Sequence, residues 1–178
     1  MLRGSRVALG PLRPEDSEPM FRWINDRELV QLNAPFKPVD RASHDEWFER
    51  IQRRDDVEIF AIRTVEGDRL VGSCQLNAID REAGSCRLQV RIGEPEGRDR
   101  GYGTEAVRLL LRHAFDQLGL DRVELEVFAT NRRAIRAYEK AGFGREGVEE
   151  GGAVIDGEPI DVVRMAASRE GGAGGDGG

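Results

Sequence analysis

From position 97 the chain reads Gly97-Arg98-Asp99-Arg100-Gly101-Tyr102-Gly103-Thr104 and runs straight into its strongest amphipathic stretch. Glycines at 101 and 103 let a backbone approach a ligand closely, and the first amides of the following helix have no partner inside it. Amides placed at the positive end of a helix dipole hold a phosphate or pyrophosphate, and Arg98 and Arg100 would add charge beside it. A tight strand-to-helix turn accounts for the same glycines. There is no Gly-Lys-Ser/Thr ending and no third glycine at dinucleotide-binding spacing, which sets aside two common nucleotide loops. A second group lies downstream. Asn131 is a good N-cap for the run after it, and Tyr138 falls two turns further along nearly the same helix face. That placement suits the edge of a ligand site, and it suits equally a capped helix with a packed tyrosine. Upstream, alternation in RVELEVF sets Val123, Leu125 and Val127 against Glu124, Glu126 and Phe128. Glu126 therefore looks either into a cleft or out to water.

The elements that must hold these residues follow from periodicity and punctuation. Arg6 to Leu12 alternates as a strand, and Arg13-Pro14-Glu15-Asp16 opens a helix carrying Met20, Phe21 and Ile24. A short helical patch covers Arg27 to Leu32. Ser43-His44-Asp45-Glu46 has capping-box form ahead of Trp47, Phe48 and Ile51, so a further helix is expected to begin there. From Val57 the period becomes two: EIFAIRT, RLVGSCQLNAI and SCRLQVRI read as three consecutive antiparallel strands. Thr104 to Leu118 is a helix stopped at Gly119, Arg122 to Phe128 a strand, and Arg132 to Lys140 a helix ended by Gly142. The remainder makes a hairpin turning at Asp156-Gly157. This order predicts an α/β chain with a mixed, mostly antiparallel sheet of about seven strands and helices on both faces.

Arg98-Asp99-Arg100-Gly101-Tyr102-Gly103 resembles the acetyl-CoA signature Q/R-x-x-G-x-G/A of the GNAT superfamily of N-acetyltransferases. The run from Asn131 to Phe143 resembles its second signature, N-x-x-A-x-x-x-Y-x-K-x-G-F. LRPED and Trp23-Ile24-Asn25-Asp26 are similar to RimJ/RimL-type sequences, and the likeness spans about residues 6 to 166. It implies a single GNAT-like domain over residues 1–168, and the glycine-rich composition beyond it predicts a disordered tail at 169–178. It also implies an enzyme that moves acetyl from acetyl-CoA to a primary amine of a small molecule or a protein N-terminus. The other reading is a non-catalytic GNAT-like module that senses or binds acyl-CoA.

The resemblance assigns roles. Amides from Arg98 to Thr104 would hold the pyrophosphate, the backbone of Val90, Arg91 and Ile92 would pair with the pantetheine arm where two strands splay, and Asn131 would bind that arm. Tyr138 would protonate the leaving thiolate. An alkylammonium must lose a proton before it attacks, so a base is needed. Many RimJ/RimL-type members carry Glu where this sequence has Arg87. Glu126, five residues before Asn131, resembles instead the base position of ribosomal-protein alanine acetyltransferases. Trp23, Trp47, Phe36 and Phe48 lie in the family's acceptor region, with Trp47 and Phe48 expected in the core and Asn33 to Phe36 as a rim.

Bulk properties limit the partners. One domain fits 178 residues with 39% hydrophobic content, and a net charge of -6 speaks against nucleic acid or anionic membranes. Neither a signal-type run nor a spanning segment is visible, so a cytoplasmic protein is expected. Cys74 and Cys86 are expected as free thiols, and His44 and His113 form no zinc-type set with them, so no metal is expected. The resemblance allows a homodimer.

Overall fold

The period-two segments of the sequence become one sheet, because each strand carries an apolar face that can be covered only by packing helices on it. In the computed structural model, which describes residues 1–94, 97 and 100–169, the strands are β1 (Leu2–Arg3), β2 (Val7–Gly10), β3 (Glu58–Thr64), β4 (Leu70–Asp80), β5 (Ser85–Ile92), β6 (Arg122–Phe128), β7 (Gly144–Ile155) and β8 (Glu158–Ser168). Their order across the sheet is β1-β2-β3-β4-β5-β6-β8-β7, antiparallel throughout except between β5 and β6. The eighth strand beyond the expected seven is β1, a two-residue edge that pairs Leu2 with Leu9. The last hairpin turns at Asp156-Gly157, with φ of 52° and 83°, as the primed turn of a right-twisted hairpin requires.

Helices α1 (Ser17–Ile24), α2 (Arg27–Val30) and α3 (Arg41–Ile51) belong to the chain before β3. Leu12, Met20, Trp23, Leu29 and Phe48 form a core with Ala61 on one face of the sheet. Helices α4 (Tyr102–Arg112) and α5 (Arg132–Ala141) cover the other face, where Val107, Leu110 and Ile135 pack on Ile62, Leu76, Leu88 and Val123. The parity of β3 shows the division: neighbouring Ala61 and Ile62 enter different cores.

Several boundaries differ from the sequence-based expectation. Helix α3 begins at Arg41, because the Asp40 carboxylate accepts from the Ser43 N–H at 2.7 Å and caps the helix one turn before the Ser43 box. Helix α4 begins at Tyr102 rather than Thr104, with Gly101 as its cap. It passes at His113 into a π-turn through Gln117 before Gly119, at φ 67°, ends the run. The first strand contracts to Val7–Gly10. Of the tail expected at 169–178, Arg169 is held in place, its N–H donating to the Asp121 carbonyl and its guanidinium to the Leu120 carbonyl, both at 2.9 Å, and 170–178 lies outside the described residues.

Two polar clamps tie the N-terminal segment to the rest. The Glu105 carboxylate accepts from the backbone of Ser5, Arg6 and Val7 and from the Ser5 hydroxyl, at 2.7 to 3.1 Å. Burial works to raise its pKa, but these hydrogen bonds prevail and hold it below the ordinary carboxylate value. The other clamp is the buried pair of Arg63 on β3 with Asp16, which also accepts from the Arg13 N–H at 2.8 Å and so fixes the entry to α1.

Candidate active site

The parallel pair β5 and β6 is joined only over Ser85–Arg122, Cys86–Val123 and Arg87–Glu124. Beyond this point the two strands no longer pair, which leaves the backbone of the β5 end facing a slot toward Asn131. One cavity of about 480 Å³ collects Val90, Arg91, Ile92, Gly101, Tyr102, Gly103, Thr104, Asn131 and Tyr138. Nine of the residues singled out by sequence thus converge on one space. Arg98 and Asp99 lie outside the described residues, and Arg100 sits at the loop end, where its carbonyl oxygen accepts from Arg6 at 2.6 Å.

Gly101 has φ 78°, a left-handed conformation that side chains with a Cβ rarely adopt, and it starts α4 at the wall of this cavity, which Gly101 to Thr104 line. Asn131 caps α5: its side-chain oxygen accepts from the Ala134 N–H at 3.3 Å, and its amide donates to the Leu32 carbonyl at 3.2 Å. Arg133, Arg136 and Lys140 line the same space. Sequence reasoning passed over these three, although their i, i+3, i+7 spacing marks one helix face.

A second cavity, also about 480 Å³, lies on the α1–α3 side and is lined by Trp23, Ile24, Asn33, Ala34, Val39, His44, Trp47, Gln75, Gln89 and Glu126, among others. Tyr138, Val90, Arg91 and Asn33 line both cavities, so the two spaces meet there. Of the expected acceptor rim Asn33 and Ala34 reach this space. Phe48 is buried in the core as expected, whereas Trp47 is only half-buried and faces the cavity. His44 is buried, its Nε2 donating to the Ser17 carbonyl at 3.0 Å. Trp23 donates from Nε1 to Glu94 at 2.9 Å.

Tyr138 is 6% exposed, and its ring meets Phe143 edge-on at 5.8 Å. Burial pushes the phenol pKa up to about 12, so the hydroxyl carries its proton at neutral pH. Glu126 is exposed on β6 opposite Arg164, in the stretch where β5 no longer pairs with β6. Arg87 lines neither cavity. It sits with Arg122, Glu124 and Glu126 around a smaller space of about 230 Å³, in which Arg122 bridges Glu124 and Glu146.

Cys74 also lines the second cavity, and it and Cys86 are free thiols, as expected. Burial drives both thiols far toward the protonated form, Cys86 to about 12, so neither offers a thiolate nucleophile. Among the described residues no group of three or more His, Cys, Asp and Glu could hold a metal ion, and no helix is long and apolar enough to cross a membrane.

Comparison with known proteins agrees with this architecture. The model of the acetyltransferase (GNAT) domain matches residues 6–144. N-acetyltransferase p20 of Bacillus licheniformis, itself uncharacterized, is 28% identical over 169 residues, spanning 90% of this chain and 92% of that protein. The L-amino acid N-acetyltransferase AaaT of Escherichia coli is 30% identical over 147 residues, 82% of this chain and 88% of that protein. In fold the chain is similar to spermidine N-acetyltransferase from Vibrio cholerae, solved with CoA and spermine. The TM-score is 0.86 at 22% identity, covering 96% of this chain and 99% of that one. With a glycine-led helix, two strands that part and a family match over more than half its length, the chain belongs to the GNAT acetyltransferase family and is an acetyl-CoA-dependent N-acetyltransferase.

Proposed function

We propose that the enzyme acetylates the primary amine of a small molecule or a protein N-terminus, with acetyl-CoA in the Asn131 cavity and the amine in the Trp23 cavity. The observation that carries this reading is that Tyr138 lines both spaces, together with Val90 and Arg91. The residues present suit the donor: the first amides of α4 for a pyrophosphate, the β5 backbone beyond Arg87 that β6 does not pair for an amide-bearing arm, and Arg136 and Lys140 for further phosphate. Bound acetyl-CoA supplies the thioester carbon and the sulfur that leaves.

The proton inventory sets the roles of this chain's residues. An ammonium must first lose one proton, and Glu126 at the acceptor cavity takes it, directly or through water. Tyr138 then donates its proton toward the departing sulfur and regains one from the nitrogen that has become an amide. A phenol held near 12 is a weak acid against a thiol of ordinary pKa, about 8.5. Tyr138 therefore works by a strong hydrogen bond to developing charge, with proton transfer following it. The LRPED and Trp23–Asp26 segments support a RimJ/RimL-type lineage for this enzyme. Incubation with acetyl-CoA and a panel of amino acids, aminosugars, polyamines and peptides, followed by release of free CoA, tests the proposal. Tight acetyl-CoA binding with no turnover on any amine would instead make the protein a sensor.

A further inference from the structure

Resting on that reading, we infer that the acceptor carries a carboxylate beside its amine, as an α-amino acid or similar small aminocarboxylate does, and that Arg91 is the residue that receives it.

On β5, Cys86, Leu88, Val90 and Ile92 belong to the core under α4 and α5, so Arg87, Gln89 and Arg91 project to the opposite face, where the acceptor cavity lies. Arg91 is half-buried there. Its Nε is inaccessible to water and has no hydrogen-bond partner, and among the described residues no carboxylate pairs with its guanidinium. Two arginines bury an Nε without a hydrogen-bond partner: Arg63, whose charge is met by Asp16, and Arg91, which has no acidic partner among the described residues. Burial also lowers the Arg91 pKa, the sign of a cation kept from water without a counter-charge. Such an arrangement is unfavourable by itself, and it is sustained at sites where a ligand brings the missing charge. A planar guanidinium fits a carboxylate best.

Among the described residues, the other charge on this cavity is Glu126. A cavity with one anion and one cation matches a zwitterion, its ammonium toward Glu126 and Tyr138 and its carboxylate toward Arg91. A polyamine would bring its second ammonium against Arg91. A protein N-terminus has its carboxyl group consumed in a peptide bond. Met20, Ile24, Val39 and Trp47 supply an apolar wall, so an aliphatic or aromatic side chain is favoured.

The experiment compares each acid with its decarboxylated amine, L-leucine with 3-methylbutylamine and L-phenylalanine with phenethylamine, at saturating acetyl-CoA. The wild type should prefer the acids in kcat/KM. Arg91→Met should lower that acid-to-amine ratio by about 10–100-fold, and Arg91→Lys by less. Binding gives an independent readout, because the only two tryptophans, Trp23 and Trp47, both line this cavity. L-Leucine should change their fluorescence in the presence of CoA, at concentrations that rise in Arg91→Met by about the same factor. Wild-type preference for the amines overturns this inference alone. Unchanged acid-to-amine ratios in Arg91→Met, with weakened acetyl-CoA binding, would place Arg91 on the donor and also overturn it. Absence of turnover on every amine, with acetyl-CoA still bound, refutes the transfer reading and the inference with it.

Discussion

Asn131 and Leu32 are 99 positions apart in sequence, yet the Asn131 side-chain amide donates to the Leu32 carbonyl at 3.2 Å. The same side chain caps α5 through its oxygen. One residue therefore fixes the start of the helix that carries Tyr138 and fastens the segment leading into Asn33, which lines both cavities. Asp is as good an N-cap as Asn but cannot donate to a carbonyl. Asn131→Asp should keep its melting temperature within about 2–4 °C while KM rises several-fold for both substrates. Asn131→Ala should lose about 1 kcal/mol of stability as well. An Asn131→Asp enzyme with wild-type KM for both substrates would show that the Leu32 contact does not shape the site.

A second expectation concerns Gly93, at the end of β5. A Cβ built there would lie 2.1 Å from the Trp23 indole, so the ring rests against the bare backbone while its Nε1 donates to Glu94. Trp23 is 4% exposed and cannot step aside without disturbing the α1 core. Gly93→Ala should cost about 1–3 kcal/mol and shift the tryptophan emission. A variant with wild-type melting and emission would mean that α1 gives way easily.

Much of this was legible in the sequence, for reasons that differ by residue. The α4 and α5 stripes, the turn at Asp156-Gly157 and the Asn131 cap are local signals, written in period and residue type. The two-residue strand β1 is not local: Leu2 and Arg3 become a strand only because β2 offers an edge. The π-turn after Arg112 looks like ordinary helix by pattern. The start of α3 was missed because two good caps, Asp40 and Ser43, stand three residues apart, and Asp40 takes the cap by accepting from the Ser43 N–H. In the site, the glycine loop, Asn131 and Tyr138 could be found by spacing, whereas the unpaired guanidinium of Arg91 is a property of what its neighbours lack.

If acetyl-CoA occupies the Asn131 cavity, the two glycines of its wall should respond differently to substitution. Gly101 stands at φ 78°, where any side chain is strained, so its replacement mixes folding with binding. At Gly103 a Cβ would meet its nearest neighbour, Ile92 Cγ1, at 3.7 Å, an ordinary contact. Gly103→Ala should therefore fold normally yet weaken acetyl-CoA by about tenfold or more, because the methyl occupies the approach to the α4 amides. Calorimetric titration with acetyl-CoA decides it, and wild-type affinity would move the pyrophosphate elsewhere.

Tyr138→Phe keeps the ring against Phe143 and removes the hydroxyl. Turnover should fall by about two to four orders of magnitude with little change in acetyl-CoA affinity. Stability supplies a second reading. The folded phenol titrates near 12, above the ordinary value of about 10, so below pH 10 it is protonated in both folded and unfolded chains. As pH rises from 10 to 12 the unfolded phenol ionises first, and stability is lost. The phenylalanine variant should lose less stability than the wild type across that window, about 2–3 kcal/mol less at its upper end. Parallel stability curves would mean that the hydroxyl reaches water.

The final expectation separates Glu126 as base from Glu126 as a wet strand residue. It is exposed, borders the acceptor cavity and lies on β6 just past the point where β5 departs. Glu126→Gln is nearly isosteric and removes the basic oxygen. If Glu126 takes the proton from the ammonium, the variant is slow at neutral pH, where almost all of the amine is protonated. Its rate should then climb about tenfold per pH unit toward the amine's own pKa, where free amine needs no protein base, and approach the wild-type rate there. Because Tyr138 stays protonated through this range, the recovery is not masked by loss of the donor. A pH-rate curve for Glu126→Gln that overlays the wild type would remove Glu126 from the mechanism. Deprotonation would then fall to water ordered by Gln75, Gln89 or Asn33 in the same cavity.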